Sequence, residues 1–199
     1  MSVDCLKIYI PGREFVLPYI KRELGEYDIV LTSSPDDCNV AIINPNDVKT
    51  IFNKDTTILV CPNIVGTGMT GLPMDLARRI ARGSYYHLEG NDARISTIHA
   101  SDVARAVRLS LGTPGTFTVT DCVDPTFHDF AEALAWRINQ KRIITLSSKW
   151  VRWIISPSLR RIITKDLTFD GKEFANRFGF TPTPLTEYLR NHNYDDESL

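Results

Sequence analysis

Four short apolar runs, set off by turn residues or by helical patterns, constrain this chain more than any other feature. Leu6-Lys7-Ile8-Tyr9-Ile10 alternates and is rich in β-branched and aromatic residues, which predicts a strand ended by Pro11-Gly12. Asp28–Leu31 predicts a second strand. Asn39-Val-Ala-Ile-Ile43 is apolar without alternation, as a strand is when both its faces are buried, and Thr56-Thr-Ile-Leu-Val-Cys61 predicts a fourth. Between the first two, Phe15, Val16, Tyr19, Ile20 and Leu24 recur at helical spacing, and Gly25 closes that helix. Pro18 is tolerated there only in the first turn, where its absent N–H is not needed. The link Ser34-Pro-Asp-Asp-Cys38 has room for one helical turn and no more. Strand and helix patterns alternate over the first 110 residues, so a parallel α/β sheet is expected.

Further along, residues 73–82 read as a helix whose basic end (Arg78, Arg79, Arg82) suits the helix dipole. A helix over 102–111 is expected to be capped by Ser101-Asp102, and Gly115-Thr-Phe-Thr-Val-Thr120 predicts a strand. Thr126 is placed to cap a helix over 127–139 that carries Phe127, Phe130, Ala131, Leu134 and Ile138 on one face. A strand at 143–146, a helix over 150–163 broken at Ser156-Pro157, and short helices at 170–178 and 185–191 complete the reading.

The 199 residues suffice for a buried core without disulfide or metal. The four cysteines form no C-x-x-C pair, sit beside apolar neighbours and read as small buried hydrophobes. No segment reaches the roughly 20 apolar residues of a membrane span, and the start of the chain lacks the pattern of a signal peptide. A cytoplasmic protein is expected, and no nucleic-acid partner. The net charge of −1 hides an asymmetry: residues 137–165 carry eight basic and no acidic side chains, while the flanking regions are acidic. Such a stretch can bind phosphate or an acidic partner, or can be a solvated face.

Two stretches go beyond a generic α/β pattern. Leu59-Val-Cys-Pro-Asn-Ile-Val-Gly66-Thr-Gly68 and Ile95-Ser-Thr-Ile-His99-Ala-Ser-Asp102-Val-Ala104-Arg-Ala106 resemble the extended short-chain dehydrogenase/reductase family, the NAD-dependent epimerase/dehydratases of nucleotide sugars. That family has an R-P-x-N-V-Y-G-P-like segment after its sixth strand, then a segment of the form hydrophobic-His-Val-x-Asp-Val-Ala-x-Ala. Downstream, Gly115-Thr-Phe-Thr-Val-Thr120, Thr126-Phe-His-Asp-Phe-Ala-Glu-Ala-Leu and Leu167-Thr-Phe-Asp170-Gly-Lys-Glu-Phe-Ala-Asn-Arg-Phe-Gly179-Phe-Thr-Pro182 look like its next segments, in its order. The resemblance implies a trimmed Rossmann-like parallel sheet over 1–120 and a small, mostly helical substrate-domain remnant over 121–192; the acidic tail at 193–199 is expected to be disordered from its composition and terminal position. It also implies a chemistry, NAD(P)-dependent epimerisation or reduction of a nucleotide sugar.

The residues for that chemistry are not in place. The first βα turn should carry Gly-x-x-Gly-x-x-Gly for a tight turn and close approach to pyrophosphate. Only Gly12 fits; Phe15 and Pro18 stand at the second and third glycine positions. The end of the second strand offers Thr32, Ser33 and Ser34, with no acid to hold a ribose; Asp36 and Asp37 serve the turn. No tyrosine is followed four residues later by lysine, the family's general acid–base pair. Only residues 44–55 separate the third and fourth strands, where the family carries its catalytic helices and a dimer interface. Ser96, His99 and Asp102 match a structural segment of the family better than a catalytic triad. His87, His128 and His192 lack metal-ligand spacing, and Gly66–Gly71 lacks the Lys of a phosphate-binding P-loop.

The sequence therefore predicts a degenerate relative without catalytic residues, in which NAD(P) is not expected although the family uses it. A pocket for a nucleotide sugar or another anion is expected from Asn63, Gly66, Gly68, Arg94, Lys149 and Arg152. It would be lined by residues 62–71, 94–99 and 149–161. An atypical active enzyme and a protein-binding module are the alternatives, and the oligomeric state is left open.

Overall fold

Residues 5–50, 52–140, 143–147, 155 and 157–191 are described by the computed structural model of the chain. β1 (Cys5–Tyr9) leads through a 3-10 turn, Glu14–Val16, into α1 (Leu17–Glu23). β2 (Asp28–Leu31), β3 (Val40–Ile43) and β4 (Thr57–Val60) follow, with 3-10 turns at Pro35–Asp37 and Pro45–Asp47 between them. Then come β5 (Ile64–Val65), α2 (Leu72–Ala81), β6 (Tyr86–Leu88), β7 (Ile98–His99), α3 (Ala100–Ser110) and β8 (Gly115–Thr118). The remainder is α4 (Phe127–Arg137), β9 (Ile144–Leu146), α5 (Pro157–Ile163), α6 (Lys172–Phe178) and α7 (Leu185–Asn191).

Five strands form one parallel sheet in the order β2-β1-β3-β4-β8, and helices flank it in a Rossmann-like α/β arrangement. The dinucleotide-binding sheet of this class runs 3-2-1-4-5-6. Among the described residues nothing stands outside β2, so β2 is an edge. Two smaller parallel pairs, β5 with β7 and β6 with β9, lie outside this sheet.

Side-chain alternation sends the two faces of the sheet into different cores. Leu6, Ile8, Val40, Ile42, Leu59 and Phe117 pack with Tyr19, Ile20 and Leu24 of α1 and Val103, Ala106 and Val107 of α3. Ala41, Ile43 and Val60 face the other way and are covered by the link 44–56, whose Phe52 meets Tyr9 edge-on at 6.0 Å between ring centroids. Among the described residues no helix joins β3 to β4. A third core forms around Phe127, Phe130 and Leu134 of α4, with Leu76 and Ile80 of α2 and Leu185 and Leu189 of α7. Phe174 and Phe180 cross back to the sheet, where Phe174 and Phe178 both meet Phe117.

Several expectations need correction. The cap of α3 is His99, whose Nδ1 accepts the Ser101 N–H at 3.2 Å, because the helix begins at Ala100. Asp102 lies inside the first turn, buried, accepting from Arg105 and from the Thr183 N–H at 3.0 Å. Cys38 and Cys61 are buried, but Cys122 is only half-buried and Cys5 is exposed, because Cys5 starts an alternating strand on its outer face. Thr126 does cap α4, accepting the Asp129 N–H at 3.1 Å. Most of the expected break and basic segment at 149–156, including Lys149 and Arg152, falls outside the described residues, as does the tail 193–199. Among the described residues no helix is long and apolar enough to cross a membrane.

Candidate functional site

From β1 the chain runs to β2 on one side, while β3 lies on the other, so the strand order reverses between β1 and β3. Open α/β sheets bind ligands in the crevice beyond the carboxyl ends of the strands at such a point. What fills that crevice follows from residues 11–15. Gly12 turns the chain with φ +66, and a Cβ there would meet nothing within 4 Å, so the backbone conformation and not crowding selects glycine. The turn delivers Arg13 into the crevice.

The Arg13 side chain is buried, at 8% exposure. Its Nη1 donates to the Cys61 carbonyl, just beyond β4, and its Nη2 to Asn44 Oδ1, just beyond β3. One guanidinium thus ties together the tips of three adjacent strands. It makes no ion pair among the described residues. Burial pulls its pKa below the ordinary arginine value, while Cys61 and Asp47 act in the opposite direction. Burial also pushes the Cys61 thiol up to about 12, which leaves it protonated and unreactive near neutrality.

Neighbouring contacts close the turn around Gly12. Its N–H donates to Glu14 Oε1 at 3.1 Å, and its carbonyl accepts from Thr70 Oγ1 at 3.1 Å. Phe15 lies against Gly68, where an added Cβ would stand 3.3 Å from the Phe15 Cβ. Pro18 occupies the first turn of α1, where its absent N–H is harmless. Beside Arg13 a cavity of about 310 Å³ opens, with Asn44, Asn46, Asn63 and Thr70 on its polar side.

No protein-family model matches this sequence, and no curated protein matches it closely. Solved structures do match in shape. The human epimerase family protein with NADPH aligns over 92% of this chain and 97% of its own, with a TM-score of 0.62 and 10% identity. GDP-mannoheptose C4 reductase from Campylobacter jejuni with NADP bound covers 96% of this chain and 97% of its own, at TM-score 0.58 and 10% identity. A Bordetella bronchiseptica enzyme in complex with NAD+ and UDP covers 95% and 91%, at TM-score 0.57 and 10% identity. This chain has the epimerase/reductase fold. At such identities the likeness carries the fold and nothing finer.

Within this epimerase/reductase fold, the residues singled out from the sequence lie apart. Asn63 lines the cavity, and its Nδ2 donates to the Ser96 carbonyl at 2.9 Å. Gly66 and Gly68 shape the loop behind it and do not line it. Arg94 points elsewhere, its Nη1 donating to the Asp124 carbonyl at 2.9 Å. Ser96, His99 and Asp102 have separate partners: Ser96 bonds to Asp124, His99 to Ser101 and Asp102 to Arg105. The His87 and His128 rings lie tilted at 40° to one another with centroids 3.9 Å apart, and no metal-ligand cluster occurs among the described residues.

Arg13 and Asn44 are the site residues that sequence reasoning missed. A signal for them existed: Asn44 directly follows a predicted strand and Arg13 follows one after the Pro11-Gly12 turn, at the ends where this fold class binds ligands.

Proposed function

We propose that this chain is a ligand-binding protein without redox activity, built on the epimerase/reductase fold. Its ligand is an anionic small molecule, the class that includes nucleotide sugars, held in the crevice beside Arg13. The observation that carries this reading is the buried Arg13 guanidinium, without an ion pair among the described residues, on the wall of a cavity. Asp47 offsets the buried charge only from a distance, and an anionic ligand supplies the direct partner that a desolvated guanidinium lacks among the described residues.

The residues around Gly12 do not fit NAD(P). In this fold class the second glycine of the turn lets the backbone approach pyrophosphate, and here the Glu14 carboxylate, held by the Gly12 N–H, would repel that group. Phe15 fills the approach that glycine would leave open, against Gly68. The absence of a Tyr-x-x-x-Lys pair anywhere in the chain supports the same conclusion about catalysis.

Thermal denaturation with millimolar NADPH, UDP-glucose, a sugar phosphate and a monocarboxylate tests the reading through ligand linkage. An anion of this set is expected to raise the melting temperature while NADPH does not. A rise with NADPH accompanied by turnover, or no rise with any anion, overturns it.

A further inference from the structure

We infer that the Arg13 crevice takes a small organic monoanion, a carboxylic acid with an apolar body, and not the diphosphate of a nucleotide. This rests on the reading of the crevice as an anion site and specifies the anion.

Charge is the first argument. Arg13 is the one charged side chain among the residues lining the cavity, all of which are described. A nucleotide diphosphate brings at least two negative charges and needs a clamp of several donors, whereas a carboxylate matches one guanidinium.

Geometry is the second. A guanidinium has five N–H donors. Two are committed to the Cys61 carbonyl and Asn44 Oδ1, which fixes the plane of the group across the strand tips. The others remain for a carboxylate, and two parallel bonds to one planar group are what an arginine fork makes best.

The third is shape. The cavity of about 310 Å³ sits at the small end of ligand pockets. Beside the polar groups, Phe15, Ile64, Leu72, Leu167 and Phe169 give the lining an apolar wall. Such a wall gains from an aromatic or aliphatic body.

The test titrates the full chain with benzoate, phenylacetate and hexanoate and with their neutral amides, alongside inorganic phosphate and UDP-glucose. Calorimetry gives affinity, and amide chemical shifts of the wild-type protein map the site. At least one carboxylate is expected to bind ten-fold or more tightly than its amide, with shifts concentrated at Gly12, Asn44, Asn63 and Gly71. Arg13→Gln is expected to abolish that preference. Leu72→Trp, which fills the apolar wall without touching the charge, is expected to abolish binding and serves if Arg13→Gln does not fold. UDP-glucose or phosphate binding more tightly than every carboxylate overturns the inference but leaves the anion site standing. Equal affinity for acids and amides also overturns it. Absence of binding by any anion overturns both readings.

Discussion

At Gly66 an added Cβ would stand 2.9 Å from the Ala100 Cβ and 3.0 Å from the Tyr19 hydroxyl. That hydroxyl accepts the Thr67 N–H at 3.0 Å, so the loop behind the cavity is seated directly on α1 and α3. Neither neighbour is the free end of a flexible chain. Gly66→Ala should therefore cost about 1–3 kcal/mol, by overpacking. It would be seen as a lower urea midpoint at unchanged slope. The close, tilted pair of His87 and His128 rings makes a second residue-level prediction. Burial first, and then His128, hold His87 below the usual imidazole value, while Glu132, Asp129 and Asp92 pull the other way. The folded chain thus binds that proton less readily than the unfolded one. The contribution to stability is present above the unfolded pKa of about 6.5 and is lost as pH falls through it. Burial raises the pKa of Asp102 and Asp121, which has the opposite sign. The informative quantity is therefore a difference: His87→Gln should lose less stability than wild type between pH 7.5 and 5.5, measured by denaturant titration.

Among the elements, α7 depends on two buried carboxylates. Asp102 accepts the Thr183 N–H, and Asp121 Oδ2 accepts from the Leu185 N–H at 3.1 Å and from Thr97 Oγ1 at 2.9 Å. Asp121→Ala leaves buried donors unpaired and should cost about 2–3 kcal/mol. Hydrogen exchange should then quicken first at the amides of 183–191, ahead of those in the sheet. The strands of the main sheet were legible as apolar runs of at least four residues and the helices from their hydrophobic period. β5, β6 and β7 were not, because two or three residues display neither a run nor a period. The cap of α3 was misread because histidine is seldom the acceptor there, and only the structure shows Nδ1 aimed at Ser101. The site was the least legible part. The role of Arg13 rests on Asn44, 31 positions away, and on Cys61, 48 positions away, and no local pattern encodes either contact.

For the molecule as a whole, residues beyond 165 complete the cores and do not merely trail from them. Phe174 and Phe180 are buried with the sheet, and Leu185 and Leu189 with α4. Burying each such side chain is worth about 1.5–3 kcal/mol. Four together match the roughly 5–15 kcal/mol by which a whole domain is stable. A chain cut after residue 165 should consequently show no cooperative thermal transition by circular dichroism. The all-parallel sheet carries the same dependence into synthesis. Thr57 pairs with Gly115, and no two strands of the sheet are joined by a hairpin. A nascent chain would expose the bare apolar faces of its first four strands until β8, and then the Phe174–Phe180 segment, had left the ribosome. Because non-local parallel pairing is slow and aggregation-prone, the emerging polypeptide is a natural client for chaperones that shield unpaired strands.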